Sequence, residues 1–208
     1  MTVAISREPL RRMLRFTWGA LLIGGVSLLA YCGMVLLDAR MFQERENRLL
    51  DLLLDRNAST PVEIRVEPLS APIPLAVTNG GLIGRMKIAR LGLEAVIIEG
   101  SDRTVLRRAV GHVPGTPLPG QAGNAVIAGH RDTFFRPLRN VRRDDLIRLT
   151  TMRGEYVYRV VSTKIVDPDD VEVLDSNGGE VLTLITCYPF YFVGEAPRRF
   201  VVRADLMQ

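Results

Sequence analysis

Cysteine and histidine are nearly missing from this chain: 208 residues contain two of each, Cys32 and Cys187, His112 and His130. A framework of several disulfides is excluded, and because Cys32 falls inside a long apolar segment, Cys187 reads as a free thiol. No Cys-x-x-Cys or His-x-x-x-His pair occurs. Structural zinc takes four ligands in closely spaced pairs, so a site built from His112, His130 and Cys187 is disfavoured and no metal is expected. Runs of basic residues interleaved with aromatics are also lacking. The net charge is +4, yet the arginines are scattered among 23 acidic residues, which argues against a nucleic-acid partner. Internal repeats and low-complexity tracts are absent as well.

Charge itself is missing from residues 16–37. At about 1.5 Å per helical residue this run crosses a hydrocarbon core roughly 30 Å thick, and it accounts for the positive mean hydropathy of +0.13. A secretory signal peptide is the competing assignment. Its apolar core is shorter and ends in a small-residue cleavage site, whereas Val35, Leu36 and Leu37 lead straight into Asp38, which favours a retained transmembrane anchor. Arg7, Arg11, Arg12 and Arg15 precede the run with only Glu8 to offset them. The positive-inside rule therefore puts residues 1–15 in the cytoplasm and everything beyond Leu37 outside. Residues 38–56 contain neither glycine nor proline, carry mixed charge and a cluster of leucines, and are expected to continue the helix as a membrane-proximal stalk. Pro61, Pro68, Pro72 and Pro74, followed by Asn79, Gly80 and Gly81, mark residues 57–81 as an extended linker.

A folded domain is expected over residues 82–208, long enough for one compact core. Its segments 83–88, 95–99, 124–128, 146–151, 155–166, 181–186 and 199–204 are short, rich in Val, Ile, Thr and Leu, and separated by turn residues, as strands are. Residues 104–110 and 133–141 read as short helices, the first with Ser101 or Asp102 as its cap. So many strands with so little helix predict a mainly β fold, an antiparallel barrel or sandwich.

Chemistry concentrates at strand ends. The strand 181–186 delivers Cys187 where Pro189 stops it, a place that suits a nucleophile, although a free cysteine is equally at home as a small core residue. A thiol is only a few per cent ionised at neutral pH, so a nucleophilic cysteine needs an imidazole or another cation nearby. His130, at the end of strand 124–128, is the candidate partner and a candidate acid for the leaving amine. Arg198 and Arg199 open the last strand. A guanidinium there offers donors to the oxyanion formed when a thiolate attacks a carbonyl, but only one of the two faces the site, because successive strand residues point to opposite sides.

Thr183-Leu184-Ile185-Thr186-Cys187 resembles the TLxTC signature of the sortases, the membrane-anchored cysteine transpeptidases of bacteria. The run from Gly123 to Thr133, with Gly129-His130-Arg131-Asp132-Thr133, resembles the segment around the family's histidine, and Arg199-Phe200-Val201-Val202 resembles the strand opening that holds its arginine. Ile88-Ala89-Arg90-Leu91-Gly92-Leu93 and Gly111-His112-Val113-Pro114-Gly115-Thr116 extend the likeness across residues 83–204. Tyr188-Pro189-Phe190 and the run His130 to Phe135 look most like class D or the related Gram-negative sortases.

The resemblance implies a closed eight-stranded β-barrel with short helices, Cys187 as nucleophile, His130 as acid or base, and Arg199 rather than Arg198 as the oxyanion-stabilising arginine. Thr186 and Tyr188, which flank the cysteine, are candidate substrate contacts, the loop 188–198 is a candidate wall of the peptide groove, and His112 is structural. It implies exported proteins with a C-terminal sorting signal as substrates, an envelope or subunit amine as acceptor, and no cofactor; some sortases bind calcium, but no compact acidic cluster here calls for it. Two alternatives stay open: a cysteine peptidase that releases its product to water, and a noncatalytic anchored domain that binds envelope peptides.

Overall fold

An uncharged run flanked by helix-forming residues produces the first element, α1 (Glu8–Ser59). The computed structural model describes residues 8–59, 80–175, 178–192 and 194–207. The chain divides into two compact units, Met1–Met41 and Phe42–Gln208. In the first, Phe16, Trp18, Leu21, Leu22, Leu28 and Leu29 are exposed around the helix, a surface suited to hydrocarbon rather than water. Among the described residues α1 is the one helix long and apolar enough to cross a membrane. Residues 1–7 of the expected cytoplasmic segment and residues 60–79 of the expected linker lie outside the described residues.

Eight strands make up the second unit: β1 (Leu82–Ile88), β2 (Leu93–Glu99), β3 (Val110–His112), β4 (Gly123–Ala128), β5 (Leu146–Thr151), β6 (Gly154–Val166), β7 (Glu180–Tyr188) and β8 (Arg198–Leu206). They close into a barrel in the order β1-β2-β3-β4-β7-β8-β6-β5, with β5 pairing back onto β1. Closure leaves no free sheet edge. The β2/β3 and β4/β7 pairs are parallel and the rest antiparallel. Alternate residues fill the interior, among them Met86, Ile88, Ile97, Ile127, Leu149, Leu182, Leu184 and Val202, each shielded from solvent, with Phe135 and Leu138 reaching in from the connection after β4.

The strand missing from the sequence reading is β3. Val110, expected as the last residue of a helix, pairs with Ile97 instead, and the helix α2 (Arg103–Arg108) ends earlier. Gly111 permits this, since a Cβ there would stand 2.1 Å from the Gly100 carbonyl oxygen. Asp102, not Ser101, caps α2, accepting from the backbone N–H of Thr104 and Val105. The helix expected over 133–141 is a series of turns leading into a 3-10 helix, Arg136–Asn140, because Pro137 disfavours α geometry at the residue before it.

Residues 42–59 are not a free stalk. Gln43 in α1 accepts a hydrogen bond from the Val96 N–H at 2.8 Å and donates to the Arg108 carbonyl at 2.7 Å, while Phe42 packs on the cluster of Val96, Ile98 and Ala109 outside the barrel. Leu50 is completely buried and Asp51 pairs with Arg85. Of the leucine cluster that suggested a stalk, Leu50 thus packs against the domain, while Leu49 and Leu52 stay exposed. On the opposite flank Arg90, in the turn between β1 and β2, donates to both oxygens of Asp145 and to the Asn140 carbonyl, and the Arg142 N–H also donates to Asp145.

Two outcomes follow from these contacts. Leu50→Ala is expected to cost about 2–4 kcal/mol of stability in denaturant titration, as a core truncation does, although Leu50 lies outside the barrel sequence. The hydrogen bonds from Arg90 hold the Asp145 carboxyl below the usual carboxylate range, against the opposing effect of burial. A depressed folded-state pKa gives stability that is present above the unfolded value of about 3.9 and is lost as pH falls through the folded value. Asp145→Asn should therefore be less stable than the parent at pH 7, with the gap in denaturation midpoints closing below about pH 4.

Candidate active site

The parallel pairing of β4 and β7 sends the C-terminal ends of both strands to the same rim of the barrel. Ala128 stands opposite Ile185, and the Gly129 N–H donates to the Ile185 carbonyl at 3.1 Å. His130 follows two residues after Ala128, at the rim where β7 ends in Cys187 and Tyr188. On the other side of β7 the antiparallel partner β8 begins, with Arg199 directly opposite Cys187. Cys187 and Arg199 form one rung of the β7/β8 pair, adjacent strands being about 4.8 Å apart, and His130 follows at the same rim, two residues after the last β4/β7 pair. All three are half-buried.

The rung faces outward. Leu182 and Leu184 point into the core, so Thr183, Ile185 and Cys187 occupy the outer face of β7, as Arg199, Val201 and Arg203 do on β8. Along this face lies a groove of about 340 Å³, lined in part by Thr183, Val201, Arg203 and Lys164 and bordered by Val173 from the connection between β6 and β7. Asn124 holds that connection in place by donating to the Val173 carbonyl at 3.0 Å, and it accepts from the Thr183 hydroxyl at 2.7 Å.

Alternation also separates the two arginines. Arg198 stands opposite Tyr188 on the other face and lies 3.8 Å from Asp167, while Arg199 shares the face of Cys187 and donates to the carbonyls of Ala196 and Arg198 at 3.3 and 3.2 Å. Thr186 and Tyr188, expected as substrate contacts, have the parity of the core face. Thr186 is buried, and its hydroxyl donates to the Gly129 carbonyl at 2.7 Å; Tyr188 stacks on Phe200 and meets Phe190 edge-on. Thr186 thus fastens the turn that carries His130, and Tyr188, half-buried, joins an aromatic group at the end of β7. His112 does not join the site: Glu99 approaches one ring nitrogen at 2.7 Å, and the Pro117 carbonyl and Thr116 hydroxyl the other. The set His112, His130 and Cys187 is not brought together, and among the described residues no group of three or more His, Cys, Asp or Glu is placed to hold a metal.

The turn that carries His130 is pinned from below. The Phe135 N–H donates to the His130 carbonyl at 3.1 Å, and its buried ring lies under Gly129, where a Cβ would come within 2.7 Å of it. Arg131 was not singled out by the sequence, yet it is buried and donates to the carbonyls of Pro189, Phe192 and Gly194 in the loop after Cys187. In that loop Tyr191 is exposed and accepts a hydrogen bond from Arg139 at 2.9 Å.

The family model described as "Sortase domain" matches residues 86–207. The chain belongs to the sortase family. Its relatives include Sortase D of Bacillus subtilis, 39% identical over 125 residues that cover 60% of this chain and 63% of that one, and Sortase A of Bacillus anthracis, 31% identical over 130 residues that cover 61% and 60%. This sortase thus spans about six-tenths of the length of those curated relatives. Among solved structures, a Clostridium perfringens Sortase D5 transpeptidase overlays with a TM-score of 0.62 at 24% identity, covering 82% of this chain and 99% of that one, and shows the shared fold. The SrtA sortase from Actinomyces oris overlays with a TM-score of 0.59 at 28% identity, over 68% and 88%.

The placement of Thr186 predicts how its loss should read out. Thr186→Val keeps the shape and removes the bond to Gly129, so it is expected to cost about 1 kcal/mol in thermal or denaturant unfolding, with KM for a peptide substrate unchanged. A raised KM at unchanged stability would return Thr186 to the groove.

Proposed function

We propose that this sortase is a membrane-anchored cysteine transpeptidase that cleaves a C-terminal sorting motif of exported proteins and passes the acyl group to an amine. The observation that supports the reading is the pairing of half-buried Cys187 with Arg199 across β7 and β8, at the rim to which the parallel β4/β7 pair also carries His130.

The substrate peptide lies along the outer face of β7 and β8 with its scissile carbonyl at Cys187. The Cys187 thiolate attacks that carbon, and Arg199 stabilises the oxyanion and orients the peptide backbone. His130, as imidazolium, gives its proton to the departing amine as the thioester forms. An acceptor amine of the cell envelope or of another protein subunit then attacks the thioester and yields its proton to His130, so the new amide forms as Cys187 leaves as a thiolate. Residues 16–37 serve as a single-pass anchor with the N-terminus in the cytoplasm and the barrel outside, an orientation supported by the arginines that precede the run. Exported substrates held in the same membrane meet the enzyme at a raised effective concentration.

Purified full-length protein in detergent, given a library of C-terminal sorting peptides together with triglycine, should produce ligated product, with an acyl adduct on Cys187 visible by mass spectrometry. Hydrolysis at the same rate with and without amine would instead establish a peptidase. Product formation unaffected by Cys187→Ala would remove the thiol mechanism altogether. The opposite facing of the arginines adds a quantitative check: Arg199→Ala is expected to lower kcat about 10²–10³-fold, as loss of an oxyanion donor does, and Arg198→Ala to leave it near the parent value.

A further inference from the structure

We propose that Arg131 is a positioning residue that fixes His130 beside Cys187 by tying the His130 turn to the loop that follows the cysteine. The inference rests on the transpeptidase reading for its kinetic consequences, though not for its structural ones.

Arg131 is only 6% exposed, and the carboxylate that approaches it, Asp132 at 3.5 Å from Nε, is itself 71% exposed. Burying a guanidinium is costly unless its donors are met, and here backbone carbonyls meet them. Nη1 donates to Pro189 O at 2.8 Å, and Nη2 donates to Phe192 O at 2.6 Å and Gly194 O at 3.1 Å, with the guanidinium 5.9 Å from the centre of the Phe192 ring. One planar fork thus gathers three carbonyls spread over the β7/β8 connection, which an ammonium on a flexible stem does not match.

The position in sequence gives this clamp its meaning. Gly129, directly before His130, is bonded to Ile185 and Thr186 on the approach to Cys187; Arg131, directly after His130, is bonded to Pro189, Phe192 and Gly194 on the departure from it. His130 is therefore bracketed by residues fastened to both flanks of the nucleophile. Neither bracket uses the imidazole, which stays available for proton transfer. Without the second bracket the His130 turn keeps Gly129 and its Phe135 bond but loses its tie to the loop after Cys187, and displacement of a catalytic group by about 1 Å is enough to cost roughly 100-fold in rate.

The test uses the full chain in detergent and the variants R131K and R131Q. Only two histidines occur, so histidine-selective ¹³C labelling gives one signal for His130 and one for His112, the latter an internal control. The expected result for R131K is a shifted or broadened His130 signal, an unchanged His112 signal, and kcat reduced roughly 10- to 100-fold with KM within about threefold of the parent. An unaltered His130 signal, or an unaltered kcat, overturns the proposal. So does movement of both histidine signals together, which marks a general structural role. Should R131K fail to fold, R131Q, which keeps two N–H donors and removes the charge, is read in the same assays. If the parent protein ligates no peptide, the transpeptidase reading fails while the histidine spectra still decide the role of Arg131.

Discussion

The site depends on two strands running the same way. Six of the eight strand pairs are antiparallel, and an antiparallel β4/β7 pair would deliver the residue after β4 to the opposite rim from the residue at the end of β7. The parallel pair, held from Gly123 opposite Glu180 to Ala128 opposite Ile185, is what sends the residues after β4 and the end of β7 to the same rim. Antiparallel β8 then starts where β7 ends, so its first residues complete the rung. Three chain segments distant in sequence are brought to one rim by backbone hydrogen bonding.

Strand alternation divides labour within a few residues. On β7 the core parity holds Leu182, Leu184 and Thr186, and the outer parity holds Thr183, Ile185 and Cys187. The side chain next to Cys187 therefore faces the core and fastens the His130 turn. The same rule sends Tyr188 into an aromatic group with Phe190 and Phe200 that packs on the core. Close sequence neighbours of Cys187 thus divide between the outer face of β7 and the core.

What could be read from the sequence follows from how local the signal is. Seven of the strands show in their β-branched and apolar runs, and the free thiol, the strand-end histidine and the arginine pair can be picked out by residue type. β3 escapes because Val110–His112 is three residues long and is defined by its pairing with Ile97 and Ile98, not by periodicity. The docking of Phe42 and Gln43 onto β2 escapes because Gln43 looks like any polar helix residue until the Val96 N–H beyond the reach of β3 needs an acceptor. The role of Arg131 escapes for a stronger reason: the sequence places it in the run around His130, but only the fold surrounds it with the carbonyls that make its burial tolerable.

Arg199 shows why the resting geometry suits catalysis on the proposed mechanism. Its donors rest on the carbonyls of Ala196 and Arg198 at 3.3 and 3.2 Å, long bonds to neutral acceptors on its own chain. A substrate carbonyl in the ground state is an acceptor of the same kind, so exchanging one for the other gains little. An oxyanion is different: a charge-assisted bond is roughly twice as strong as a neutral one. The guanidinium therefore prefers the developing charge over both its resting partners and the bound substrate, and only a preference of that sort accelerates the chemical step. A site in which Arg199 already had a carboxylate partner would lose that difference, since the resting ion pair would compete with the oxyanion on equal terms.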